Sequence, residues 1–194
     1  MAASLHSLSG VTDLLSTASV VGFSGSRTPT ASSLRAVRWA LGQLSPSSTV
    51  VAGCARGVDA TVRAGLPASR LRIFEAASFG QGRGAFAARS IACVRAVAAA
   101  DTALWVAFPS GPCPGGLLPS SSPSACFSGF GSGTWASLAF AIGSGLRCLL
   151  FLPPMMSAPA GWLLVNVVGT RSWWQYSPMS IQGHLFRHNA SAPI

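Results

Sequence analysis

The chain has no lysine, and its thirteen basic residues, all arginine, face only four acids: Asp13, Asp59, Glu75 and Asp101. So few carboxylates leave few groups for acid–base chemistry. The missing lysine says less about function, because an arginine bias beside abundant alanine and glycine also follows from a GC-rich genome. There is no Cys-x-x-Cys pair. Cys54, Cys93, Cys113, Cys126 and Cys148 are an odd number without metal-ligand spacing, the pattern of reduced thiols. Cys113 and Cys126 flank a Pro/Ser segment where a disulfide or metal site has room, but no histidine lies nearby and metal sites normally need three or four ligands. Long apolar runs are also missing. Ile91 to Phe108 is broken by Arg95 and Asp101, and Leu146 to Leu152 is too short, so no membrane-crossing helix is expected. Met1 to Gly10 carries no Lys or Arg ahead of a long apolar core and does not read as a secretory leader, which points to the cytoplasm.

What is present is core-forming material. With 49% hydrophobic and 9% charged residues, the 194-residue chain can bury one substantial core, and a single domain with a tail is expected. The formal charge of +9 implies anionic partners, either phosphorylated small molecules or nucleic acid, because a guanidinium fork binds such groups bidentately.

Short apolar runs alternate with helical stripes along the chain. Ser19 to Phe23 is a β-branched run ending in Ser24-Gly25-Ser26-Arg27, after which Leu34, Val37, Leu41 and Leu44 recur at helical spacing. Thr49 to Ala52 is a second buried run, followed by a short helix that Gly65 and Pro67 terminate. Leu71 to Phe74 gives a third strand, and beyond the loop Gly80 to Gly84 a stripe of Phe86, Ala87, Ile91, Val94 and Val97 runs to Ala100. Thr102 to Phe108 is the fourth strand, Thr134 to about Ser144 a helix ended by Gly145, and Arg147 to Leu152 the fifth strand. Unbroken apolar strands alternating with helices indicate an α/β, Rossmann-like fold, a mostly parallel sheet with helices on both faces. Residues 1–18 then form a lead-in, 19–153 the domain, and 154–194 a tail.

Two segments break this rhythm. Pro109 to Phe130, rich in Pro, Ser and Gly, is too long for an ordinary strand-to-helix loop and reads as a lid or a flexible insertion. The tail holds Leu163 to Val168, an edge-strand candidate, then the aromatic run Trp173-Trp174-Gln175-Tyr176 and a polar end with His184 and His188. Its aromatics suit docking on the domain or a partner subunit better than stacking on bases.

Ligands of an open parallel sheet bind beyond the carboxyl ends of its strands. Two glycine-rich turns follow such ends, Gly53-Cys54-Ala55-Arg56-Gly57-Val58-Asp59 and Gly131-Ser132-Gly133-Thr134, each opening a helix as phosphate-cradling turns do. Together with Ser24, Gly25, Ser26, Arg27 and Arg89 they are expected to converge on one cleft. No metal site is expected, and the ligand foreseen is a nucleotide or nucleotide derivative, with no other cofactor.

The order of Gly22-Phe23-Ser24-Gly25-Ser26-Arg27, Ala52 to Ala60, Ala88-Arg89-Ser90 and Gly131 to Thr134 resembles the SLOG superfamily, which groups the DprA-like and Lonely-guy proteins. The likeness covers about Val20 to Leu152. It implies a Rossmann-like domain that binds nucleotides, and dimers are common among such proteins; Trp39, Trp162 and the tail offer apolar surface for one. Ala55-Arg56-Gly57-Val58-Asp59 is similar to the DprA element, and Gly133-Thr134 to the Lonely-guy phosphate turn. The Lonely-guy phosphoribohydrolases carry a glutamate that falls here on Ser137, which a serine cannot replace as a carboxylate. Pro114-Gly115-Gly116 is displaced by the insertion. Three readings therefore stand: a nucleotide-binding module; a nucleotide hydrolase using Asp59 or Glu75; and a DprA-like binder of single-stranded DNA. The first is preferred because it needs no catalytic acid.

Overall fold

The computed structural model describes residues 9–178. In chain order its main elements are α1 (Ser9–Thr17), β1 (Val20–Gly25), α2 (Ala31–Gly42), β2 (Thr49–Gly53), α3 (Val58–Ala64), β3 (Leu71–Phe74), α4 (Arg83–Ala98), β4 (Ala103–Phe108), α5 (Pro123–Cys126), α6 (Gly133–Gly143), β5 (Arg147–Phe151), β6 (Val165–Asn166) and β7 (Trp173–Tyr176). The strands form one sheet in the order β3-β2-β1-β4-β5-β7-β6. β1 to β5 are parallel, and β7 and β6 close the edge antiparallel to β5 and to each other. This is the α/β, Rossmann-like arrangement.

Why the strands are apolar throughout is visible along β4, where all six residues are buried. Leu104, Val106 and Phe108 point to one face and meet Val11 and Leu15 of α1, Val37 and Ala40 of α2, and Val58 and Val62 of α3. Ala103, Trp105 and Ala107 point to the other and meet Val94 and Val97 of α4 and Leu138 and Ala139 of α6. A strand covered on both sides cannot alternate apolar with polar.

The unit is larger than the sequence suggested. Residues 9–17 are no mere lead-in, since α1 places Val11 and Leu15, both fully buried, in the core. Nor does the domain stop at 153. The aromatic run Trp173–Tyr176 is an inner strand of the sheet, with Leu150 opposite Trp174 and Phe151 opposite Trp173, while the expected edge strand shortens to Val165–Asn166. Trp173 packs edge-on to Phe108 and Phe151, with ring centroids 5.8 and 5.2 Å apart. Trp39 lies 5.7 Å from Trp173. Trp162 is buried and donates its indole N–H to the Leu117 carbonyl at 3.2 Å. Trp162 and Trp173 are thus buried inside the chain, while Trp39, Trp174 and Tyr176 are half-buried; His184 and His188 lie outside the described residues.

Among the described residues no helix is long and apolar enough to cross a membrane.

Candidate functional site

The strand order reverses between β1 and β4. α2 carries the chain from β1 toward β2 on one side, and α4 returns it to β4 on the other. Gly25 and Phe108, the last residues of the two strands, are paired in register, and the cleft opens directly beyond them. It encloses about 700 Å³, well within the range of small-molecule sites. Its floor is made by Trp105, whose indole covers the face of Gly22 so closely that a Cβ there would collide with it, and whose Nε1 donates to Ser24 Oγ at 3.1 Å.

Of the residues foreseen, Ser24, Gly25, Ser26, Arg27, Gly53, Asp59, Arg89, Gly131, Ser132, Gly133 and Thr134 all line this cleft. Arg56 and Gly57 do not, and neither does Glu75, which is exposed just beyond β3. Ser137 does line it, with its Oγ donating to the Gly133 carbonyl at 2.7 Å.

The two glycine-rich turns do different work. In the first, two donors are engaged: Ala55 N–H reaches Asp59 Oδ2 at 3.2 Å, and Val58 N–H reaches the Ser26 carbonyl at 3.0 Å. Gly57 has φ +78°, and a Cβ on it would strike the Ser26 carbonyl oxygen and the Arg27 backbone. Only glycine fits there, because the turn is clamped onto the β1 loop. At Gly53 a Cβ would press on the ends of the Arg89 and Asp59 side chains, which would have to shift to admit it. This turn therefore has a packing role at Gly57, while Gly53, Ala55 and Asp59 of the same turn line the cleft. Arg63 reinforces it, donating from Nη1 to the Gly53 and Ala55 carbonyls at 2.7 and 3.1 Å.

The second turn is open. Ser132 is the N-cap of α6 and accepts from Trp135 N–H at 3.4 Å, and Gly131 takes φ +83°. A Cβ added at Gly131 or Gly133 would meet no protein atom within 4 Å. Gly133 is thus not required by packing, and its missing side chain leaves room in front of the helix N-terminus, where N–H groups and the positive dipole end favour an anion.

Charge in the cleft is mostly positive. Arg27 stands exposed at the mouth, its guanidinium 4.6 Å from the Phe86 ring centroid. Arg89 lies deeper, 3.5 Å from Asp59 Oδ2 and 3.9 Å from Cys54 Sγ, with its buried Nε unpartnered. Asp59 is the one carboxylate on the lining, and it is 4% exposed. Burial pushes its carboxyl above the usual range, against the pull of Arg89, the Ala55 N–H, Arg63 and Arg27. Burial also pushes the Cys93 thiol, on the inner wall, up to about 12.

The insertion 109–130 is a wall of the cleft. Gly111 accepts the Trp135 indole N–H at 2.9 Å, Ser120 N–H reaches the Ala139 carbonyl at 3.3 Å, and Gly143 packs so tightly on Ser120 that no Cβ would fit. Leu117 is buried, and Phe127 and Phe130 line the cleft. Cys113 and Cys126 are free thiols, Cys126 lying 3.4 Å from the Ser120 carbonyl.

Sequence reading missed Ser110, which donates to Ser26 Oγ at 2.7 Å, and Thr28, whose N–H donates to the same oxygen at 3.0 Å. Ser110 stands two residues beyond β4, just past a strand end as Ser26 stands just past β1, so the strand-end rule that points to Ser26 also points to it. The aromatic wall of Phe127 and Phe130 carries no local signal, because proximity there depends on how the insertion folds back.

Compared with protein-family models, curated proteins and solved structures, the chain matches none.

Proposed function

We propose that this chain holds a nucleotide or nucleotide derivative in the switch-point cleft, with the phosphate on the Ser132–Thr134 end of α6, and that it belongs to the SLOG type of Rossmann-like protein. The observation that carries the reading is the pairing of an open helix N-terminus, unfilled because Gly133 has no side chain, with Arg27 at the mouth of the same cleft. Such a pairing offers backbone donors and a guanidinium to one anionic group. Phe86, Phe127 and Phe130 give the apolar surface against which a base would rest. ADP-ribose-like, NAD-like and cyclic nucleotides are the candidate classes, and the cytoplasm, where nucleotides abound, is the proposed compartment.

Binding is preferred to cleavage on the distribution of carboxylates. Glycosidic hydrolysis needs an acid or carboxylate beside the scissile bond. On the resemblance, the Lonely-guy glutamate position falls on Ser137; Glu75 is outside the cleft, and Asp59 is tied to Ala55 and Arg89. Single-strand binding is supported less well, since Trp173 is buried in the sheet and Trp174 is half-buried against the core.

The test is mass spectrometry of small molecules released on denaturing the purified protein, followed by readdition of the recovered compound. An intact nucleotide that rebinds one per chain supports the reading. Conversion of the compound on readdition would transfer the weight to a hydrolase, and binding only of single-stranded DNA, falling steeply with salt, to the DprA-like alternative.

A further inference from the structure

One oxygen of the Asp59 carboxylate is engaged by the protein and the other is not. Oδ2 accepts the Ala55 N–H at 3.2 Å and lies 3.5 Å from Arg89 Nη1, and no donor among the described residues reaches Oδ1. Nor is Oδ1 sealed in the core, for the buried, unpartnered side-chain nitrogens and oxygens among those residues are Arg89 Nε and Trp174 Nε1. Asp59 lines the cleft and is only 4% exposed, so Oδ1 meets the cavity. Holding the first glycine-rich turn accounts for Oδ2 and leaves Oδ1 without work.

Ser24 supplies the neighbouring group. Gly22 stands opposite Val51 in parallel register, so two residues on, and on the same face, Ser24 comes level with Gly53 of the next strand, about 5 Å away. The missing Gly53 side chain is the space into which Asp59 Oδ2 and Arg89 reach. Ser24 Oγ accepts the Trp105 indole N–H at 3.1 Å, and its own proton has no acceptor among the described residues. The cleft thus offers a free acceptor and a free donor side by side at the ends of β1 and β2.

We infer that Asp59 and Ser24 receive the hydroxyl groups of a sugar, which makes the ligand of this cleft a ribonucleotide and sets its 2′-deoxy form at a disadvantage. The inference rests on the nucleotide reading. There the phosphate takes the α6 end and the base the surface of Phe86, Phe127 and Phe130, so the sugar is the part left for the ends of β1 and β2. Chemistry points the same way. A phosphate is repelled by a carboxylate, and the Arg89 guanidinium beside Oδ2 offsets the charge that would draw a cation. What suits the pair is an uncharged group that both gives and takes a hydrogen bond, and a hydroxyl does both from one atom. A 2′-deoxy sugar covers Oδ1 without returning the donor that water gave it, and so forfeits affinity.

Calorimetric titration of the purified chain with AMP, GMP, CMP and UMP, each beside its 2′-deoxy counterpart, tests this. At least one ribonucleotide should bind about fivefold or more tighter than its 2′-deoxy form. Asp59→Asn turns an amide nitrogen toward the cavity, because Ala55 N–H and Arg89 keep the carbonyl oxygen on their side, and Ser24→Ala removes the donor. Each should lower that ratio at least about threefold. The ratio compares two ligands on one protein, so any general loss of affinity cancels from it. Thr134→Val, at the phosphate end, should weaken both forms alike and keep the ratio. A smaller ratio in the wild type, or one that either sugar-site variant leaves unchanged, would overturn the inference while the nucleotide reading stands. Binding of none of these compounds would overturn both.

Discussion

Ser110 Oγ donates a 2.7 Å hydrogen bond to Ser26 Oγ, tying the loops that leave β4 and β1 together across the point where the strand order reverses. The two serines both line the cleft, so the bond fixes the spacing of its rims. Because Ser110 is exposed, Ser110→Ala should cost less than about 1 kcal/mol of stability, while the freed rim weakens nucleotide binding about three- to tenfold. Urea unfolding and calorimetric titration of the same variant separate the two effects.

The contrast between the glycine-rich turns predicts opposite outcomes for matched substitutions. Gly57→Ala places a Cβ against the Ser26 carbonyl at φ +78° and should destabilise the fold by roughly 2–4 kcal/mol. Gly133→Ala meets no protein atom within 4 Å. It should unfold within about 0.5 kcal/mol of wild type and lose nucleotide affinity instead. Equal losses of stability in both variants would contradict the division of labour.

Asp59 gives a pH dependence with a definite sign. Burial raises its carboxyl above the ordinary 3.8, so the folded state holds the proton more tightly than the unfolded state does. Its contribution to stability is then greatest below 3.8, with the group protonated, and is lost as pH rises through the higher folded value. The stability of wild type relative to Asp59→Asn should fall across that rise, as followed by urea unfolding at a series of pH values. A relative stability that climbs would mean that the ion pair with Arg89 outweighs burial.

The thiols should react unequally. Cys93 is 4% exposed and pushed up to about 12, and Cys148 is fully buried and raised well above its usual value, so neither offers thiolate at pH 8. Iodoacetamide on the native protein, read by peptide mass spectrometry, should leave both unmodified until denaturant is added.

The parallel core was legible in the sequence because double burial leaves a plain mark: Ala103 to Phe108 is apolar at every position since both faces are covered. Most of the cleft followed from the same pattern, as strand ends are where such sheets bind. What escaped were features decided by long-range packing. Trp173 to Tyr176 looked like a loose aromatic tail but pairs with β5, a partner more than 20 residues earlier, and the tight turns around it give no local cue. Gly57 and Gly133 look alike in sequence, both flanking a helix start. Only the neighbouring β1 loop, pressed against one and absent from the other, distinguishes a packing glycine from an open one.

Calorimetric titration of the purified chain with ADP-ribose and AMP, beside Thr134→Val, bears most directly on the claim that α6 presents its N-terminus to a nucleotide phosphate. The account predicts one site per chain for at least one of the two compounds, with the affinity reduced about tenfold or more, about 1.4 kcal/mol, in the variant. No heat of binding with either compound at millimolar concentration, or binding that Thr134→Val leaves unchanged, would contradict it.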